Sequence, residues 1–161
     1  MNASERRELT DRVAEFQEAY AHCIDGDEIE AWPEFFTEKG VYRIIPRENH
    51  DLSLPVAIMF CDGKGMLKDR VFSLREANIY AKHFYRHLLG RPRLTDEHAD
   101  GSFGFETNYA VFRTLEHGET RVFSAGRYVD RVVLEGDALR FAEKLVVYDN
   151  TWIDTLLVTP L

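Results

Sequence analysis

The histidines of HFYRH, His83 and His87, come closest to a metal-binding pair in this sequence. On a helix, a four-residue step turns both imidazoles toward one ion, and a carboxylate would complete a mononuclear iron site. In a strand, the same step separates them by about 13 Å, too far for a single ion. The residues around them have a strand rhythm, so the expectation is two histidines packed or hydrogen-bonded separately. The two cysteines, Cys23 and Cys61, lie far apart and form no CxxC pair. That excludes a disulfide scaffold, and neither cysteine has a histidine in the order a Rieske cluster needs. The sequence contains no GxSxG, phosphate-loop, GxGxxG or HExxH pattern. Gly63 and Gly65 flank Lys64 in DGKG, which reads as a turn before a helix.

Charged residues on apolar strand faces are the stronger signal. Residues 103–115 alternate, with Phe103, Phe105, Thr107, Tyr109, Val111, Arg113 and Leu115 on one face. Residues 138–149 place Leu139, Phe141, Glu143, Leu145 and Val147 together. If both faces look into one concavity, Arg113 and Glu143 can pair there. Such a pair either orients a substrate and raises a carboxylate's pKa, or serves as a structural ion pair or intersubunit contact. A second cluster, KDRVFSLRE, supplies Asp69, Arg70, Arg75 and Glu76 as local helix pairs. Arg86, Arg91 and Arg93 extend a supply of guanidinium groups suited to planar contacts with carboxylates across an interface.

The elements that must hold these residues follow from periodicity. Residues 5–24 form an amphipathic helix, with Leu9, Val13, Phe16, Tyr20, Cys23 and Ile24 on its apolar stripe. Asp25-Gly26-Asp27 breaks it. Asp27 and Glu30 have capping-box spacing for a second helix, whose apolar side is Ile29, Trp32, Phe35 and Phe36 and which Pro33 ends or kinks. The Trp and two Phe read as a plug on the core, with a ligand-binding aromatic box as the other reading. Residues 41–46 form a short strand, 47–54 a loop, and Val56 to Cys61 a continuous apolar strand. A third helix spans about 65–78, with Asp62 as its cap and Met66, Leu67, Val71 and Leu74 on its buried side. From residue 79 the period moves toward two. Residues 83–90 are a strand, 91–101 a connection, and 103–115, 120–134 and 138–149 three long strands joined at His117-Gly118 and Glu135-Gly136-Asp137. The tail from Thr151 to Leu161 is apolar enough to pack down. Helices followed by an antiparallel meander make an α+β plan, in which a curled sheet wraps a helix.

Composition narrows the function classes. The 161 residues suit one domain, residues 1–161. Eleven Phe, seven Tyr and two Trp supply ample core. The formal net charge of −8 repels a phosphate backbone, so nucleic acid is not an expected partner. No apolar run approaches the roughly 20 residues that span a bilayer, and the polar start has no signal-peptide core. A soluble, cytoplasmic protein is expected, with no membrane partner.

Several stretches carry a family resemblance: CIDGDEIEAWPEFFTEKGVYRI at 23–44, AIMFCDGKGMLKDRVFSLREANIY at 57–80, YRHLLG at 85–90 and DNTWIDTLLVTPL at 149–161. Over nearly its whole length the chain resembles the small (β) subunits of aromatic-ring-hydroxylating dioxygenases. The DRV–LR segment and the Arg86-His87 pair are the more specific marks. The wording is most similar to subunits of anthranilate- and terephthalate-type enzymes, which implies an aromatic carboxylate as the substrate of the complex. The resemblance implies a cystatin-like, NTF2-like cone, with N-terminal helices packed on a curved, mainly antiparallel sheet. It implies a trimer of this chain under a trimer of large (α) subunits, a heterohexamer. The Rieske [2Fe–2S] cluster and the mononuclear iron would then sit on the large subunit, and a reductase would bring electrons from NADH. This chain would hold no catalytic, cofactor-binding or metal-binding residue. Asp69, Arg70, Arg75, Arg86 and His87 match the family signature and carry over as structural or interface residues. A stand-alone cone enzyme (an isomerase, dehydratase or cyclase) is the alternative, with His87, Tyr109, Arg113 and Glu143 as its cavity candidates.

Overall fold

The computed structural model describes residues 1–76, 82–150, 157 and 159–161. Helix α1 (Ala3–Asp25) starts at a capping box: the Asn2 side chain accepts from the Glu5 N–H, and the Glu5 carboxylate accepts from the Asn2 N–H. Leu9, Val13, Gln17, Tyr20, Cys23 and Ile24 are buried along one side. Gly26 ends the helix, its N–H reaching the carbonyls of His22 and Ile24. The next turn, Ile29–Phe35, is a 3₁₀ helix rather than the expected α-helix. It has no side-chain cap. Asp27 sits at φ 58, and it and Glu30 bind Arg75 instead of forming a box. Pro33 inside the segment removes one backbone donor and crowds the preceding turn, and short runs of this kind adopt the tighter 3₁₀ form.

Seven strands form one sheet: β1 (Phe36–Pro46), β2 (Met59–Asp62), β3 (His83–Leu89), β4 (Arg93–Glu97), β5 (Phe103–Leu115), β6 (Thr120–Glu135) and β7 (Ala138–Tyr148). The order is β2-β1-β7-β6-β5-β3, with β4 also pairing β5. All pairs are antiparallel except β1 with β7. The short helix α2 (Arg47–Asp51) lies in the expected loop, and α3 (Lys64–Glu76) matches the third helix as far as residue 76. Residues 77–78 of that expected helix, and 151–156 and 158 of the tail, lie outside the described residues.

Three further expectations change. The apolar run from Val56 is not a buried strand. Pairing with β1 stops at Ile44–Met59, near the strand-ending Pro46, and Val56, Ile58 and Phe60 are exposed. Met66 is exposed too, and α3 buries Leu67, Val71 and Leu74. The connection 91–101 contains β4, whose sequence RLTDE hides it because only Leu94 packs inward, and then partly.

The larger change is in β7. Arg131 pairs with Glu143, but Val132 pairs with Phe141, so Ala142 is an extra residue, a β-bulge. A one-residue slip moves every later side chain to the other face. Leu139 and Phe141 face the core, and beyond the bulge Lys144, Val146 and Tyr148 are the buried alternating set. Glu143 is thereby turned away from the concave side on which Arg113 was expected to meet it.

The largest fully buried side chains are mostly aromatic. Tyr20, Trp32, Phe36, Tyr42, Phe105, Tyr128 and Phe141 are almost fully buried. Trp32 meets Tyr42 edge-on at 5.1 Å, and Tyr20 meets Phe141 at 5.5 Å. The Trp32–Phe36 region is packing, as the plug reading expected. The described part of the tail packs down as well: Leu161 is buried, its carbonyl accepts from the Tyr20 and Tyr42 hydroxyls, and its N–H donates to Tyr42.

Candidate functional site

The bulge places an ammonium group in the middle of the core. Lys144 and Asp130 have no exposed side-chain surface, and Lys144 Nζ donates to Asp130 Oδ2 at 3.1 Å. Gln17 of α1 donates to the same oxygen at 2.9 Å and accepts from the Thr107 hydroxyl at 3.0 Å. Three rings surround the ammonium, with Nζ 3.4 Å from the Tyr128 centroid and 4.6 Å from those of Tyr20 and Phe141. Burial pushes Lys144 down to about 8, against the pull of Asp130. Burial also raises Asp130, although Lys144 and Gln17 oppose it.

A second polar pair joins α1 to β3. His87 Nδ1 lies 2.6 Å from Asp25 Oδ1, and the His87 N–H donates to Asp25 Oδ2 at 2.8 Å. The His87 side chain has no exposed surface. Burial raises the Asp25 carboxyl, but the bonds to His87 and the nearby charges outweigh it and hold the carboxyl below its usual value. A depressed carboxyl stabilises the fold above its unfolded pKa, and that contribution disappears as pH falls through the folded value. Asp25→Asn is therefore expected to lower the melting temperature at about pH 7 and to flatten its fall toward about pH 3. Thermal unfolding across that range is the check. An unchanged acid limb would contradict it.

The other cavity candidates do not converge. Tyr109 bonds Ser124 at 2.8 Å and stacks on Tyr128 at 4.5 Å. The Arg113 guanidinium lies 4.7 Å from the centre of the Phe123 ring. Glu143 is on the far face, and no ion pair joins it to Arg113 among the described residues. The expected charge pair is thus replaced by Asp130–Lys144. Sequence reasoning missed that pair because it gave β7 an unbroken alternation. One signal was available: Gln17 falls on the stripe of Val13 and Tyr20, an inward polar position.

The signature residues sit around this core. Arg75, at the end of α3, grips the junction after α1 with four contacts: to Glu30 Oε1 and Oε2 at 2.6 and 3.0 Å, and to the Asp27 carboxylate and carbonyl at 2.8 Å each. Arg75→Ala is expected to cost about 1–2 kcal/mol, limited by the exposure of both carboxylates. Urea unfolding would measure it, and Arg75→Lys should recover little because lysine cannot make the planar contacts. Arg70 donates to the Leu157 carbonyl at 3.0 Å and so holds the tail. Arg86 curls round the sheet edge to the carbonyls of Tyr85 and Asp25. Asp69 points to solvent.

His83, Tyr85, Asp25 and Asp27 line a shallow cleft of about 150 Å³ with Lys82 and Thr159. The donor set fits neither a Rieske cluster nor a mononuclear iron. Cys23 and Cys61 are buried on separate elements, burial pushes the Cys23 thiol up to about 11, and it also raises Cys61. His83 and His87 share a strand, as expected, and His87 is committed to Asp25. No group of three or more His, Cys, Asp or Glu side chains converges among the described residues.

Comparison with known proteins places these features. Residues 17–155 match the family described as ring hydroxylating beta subunit. The anthranilate 1,2-dioxygenase small subunit of Burkholderia cepacia is 46% identical over 145 residues, covering 90% of this chain and 89% of that protein. A beta subunit of the terephthalate 1,2-dioxygenase terminal oxygenase component from a Comamonas species is 41% identical, covering 93% and 97%. Among solved structures, the beta subunit of a putative aromatic-ring-hydroxylating dioxygenase from Novosphingobium aromaticivorans superposes with a TM-score of 0.88. It is 44% identical, with 97% of this chain and 99% of that one covered.

Proposed function

The chain belongs to the ring hydroxylating beta subunit family, and we propose that it acts as the non-catalytic small subunit of an aromatic-ring dioxygenase, stabilising an assembly whose metals sit on a large (α) subunit. The observation that carries this reading is that the chain matches dioxygenase small subunits over nearly their full length. The interior agrees with it: Lys144, Asp130 and Gln17 bond within one group and His87 and Asp25 within another, rather than facing a common reaction chamber. The large subunit would hold the Rieske [2Fe–2S] cluster and the mononuclear iron, and a reductase would feed it electrons. Because the relatives act on anthranilate and terephthalate, an aromatic carboxylate is the proposed substrate class of the complex.

Within the assembly, Arg70, Arg75, Arg86 and His87 would act as internal braces and Asp69 as a surface contact. Residues 1–161 would form one domain. No helix among the described residues is long and apolar enough to cross a membrane, and a cytoplasmic location is part of the proposal. Two apolar patches support self-association into a trimer as part of this reading. Leu52, Leu54, Val56, Ile58 and Phe60 are exposed at the β2 edge of the sheet, and Phe84, Leu88 and Val122 toward the β3 edge. A closed three-fold ring joins two different surfaces of each subunit, and these lie at opposite ends.

Co-expression with the large subunit tests the reading. The expected product is a complex of three copies of each chain, with iron, whose yield collapses when this chain is omitted. The chain alone should be colourless and inactive. Turnover of a small molecule by the isolated chain, or stoichiometric iron bound to it, would sink the proposal.

A further inference from the structure

The space around the Lys144 amine has the make-up of a binding site for a cation, and the chain itself is the occupant. On one side stands the Asp130 carboxylate, its two oxygens 3.1 and 3.4 Å from Nζ. On the others stand the rings of Tyr128, Tyr20 and Phe141, with centroids 3.4, 4.6 and 4.6 Å away. An aromatic ring draws an ammonium over its face, and a carboxylate sealed from water draws one more strongly. Neither Lys144 nor Asp130 has exposed side-chain surface, so solvent does not weaken these attractions. Every wall thus favours the same sign of charge.

Each wall is also held by partners other than the lysine. Gln17 donates to Asp130 at 2.9 Å and is itself fixed by the Thr107 hydroxyl at 3.0 Å. The Tyr20 hydroxyl donates to the Leu161 carbonyl at 2.9 Å and accepts from the Trp32 indole at 3.2 Å. Tyr128 stacks on Tyr109 with 7° between the rings. Phe141 packs on Phe16 at 4.6 Å and on Phe36 at 5.5 Å. These supports come from α1, the 3₁₀ turn and four strands, and none of them passes through Lys144. An interior braced in this way relaxes only partly when a side chain is cut back, and the cavity left behind takes up guests that fit it.

We propose that the interior of this subunit is a preformed chamber for an unbranched primary alkylammonium, which the native chain fills with Lys144. The lysine reaches it from β7 because the bulge at Ala142 turns residue 144 inward. Beyond its β-carbon, lysine is a propylammonium chain, so propylammonium is the matching free ligand. The native chain leaves no room for it. Lys144→Ala makes the room and keeps the carboxylate and the three rings.

Thermal unfolding of the parent chain and of Lys144→Ala in matched propylammonium chloride, sodium chloride and propan-1-ol tests the chamber. At about ten times its dissociation constant, propylammonium should raise the melting temperature of Lys144→Ala by about 3–5 °C over sodium chloride, and it should leave the parent unshifted. Propan-1-ol, which fits the same space without a charge, should give none of that gain. Lys144→Ala/Asp130→Asn, which keeps the shape and removes the carboxylate, should lose the preference for the amine. No gain, equal gains from amine and alcohol, or a gain of the same size in the parent would overturn the proposal. If Lys144→Ala does not fold unaided, refolding from urea in the same three solutions decides. Recovery in propylammonium alone supports the chamber. Recovery in none of them, or equally in all, overturns it, since walls that collapse without the lysine are not preformed and walls indifferent to the amine do not bind it.

Discussion

Lys144→Met is expected to destabilise the subunit by about 3–5 kcal/mol, the cost of leaving one member of a buried ion pair without its partner. Methionine fits the aromatic cage, so the loss is electrostatic rather than a matter of volume. Asp130 would keep Gln17 as its donor but lose the ammonium 3.1 Å away. Burial already raises Asp130 with Lys144 in place. Without the lysine, the folded pKa moves further above the unfolded value. A raised folded pKa stabilises the fold at low pH, and that stability is lost as pH rises through the folded value. The variant's deficit should therefore shrink toward acid pH and grow toward neutrality. The double variant Lys144→Met/Asp130→Leu should recover much of the loss. Urea unfolding at several pH values decides it. A single variant as stable as the parent, or a deficit that does not change with pH, would contradict the account.

Gly126→Ala is expected to cost about 3 kcal/mol, at the upper end for overpacking, because the obstacle is backbone and not a movable side chain. Gly126 pairs with Tyr148 where β6 meets the end of β7. A β-carbon there would overlap the Val147 carbonyl oxygen and lie 2.9 Å from Tyr148 Cα. Relief would require β6 and β7 to separate beside the Tyr109–Tyr128 stack. Thermal unfolding is the measurement, and a loss below about 1 kcal/mol would show that the strands yield easily. Gly136, in an open hairpin turn at φ 63, is the useful contrast: nothing lies near its missing β-carbon, so only backbone strain opposes alanine there.

Much of the fold was legible because its periods are long and regular. The α1 stripe and the β5 alternation each repeat over ten or more residues, and the turns that end α1 and join β5, β6 and β7 carry glycine. What escaped were short or irregular elements. β4 is five residues of mostly charged sequence, and the 3₁₀ turn carries the apolar spacing of a helix without its hydrogen bonding. The candidate site was harder to read, because its decisive feature is one extra residue. The bulge at Ala142 cannot be seen in a pattern of apolar residues, since Val146 and Val147 are both buried and suit either register. His87 was singled out, but its partner Asp25 lies 62 positions earlier, in what looked like a helix-breaking turn. Only the three-dimensional return of β3 onto α1 brings them together.

The enclosure of the Lys144 amine gives the subunit a built-in label. Acylating reagents should modify Lys39, Lys68 and Lys82 readily in the native protein, because those residues face solvent. Lys144 should stay unmodified until the helix and the curved sheet part, so the pace of its modification would clock how often the interior opens.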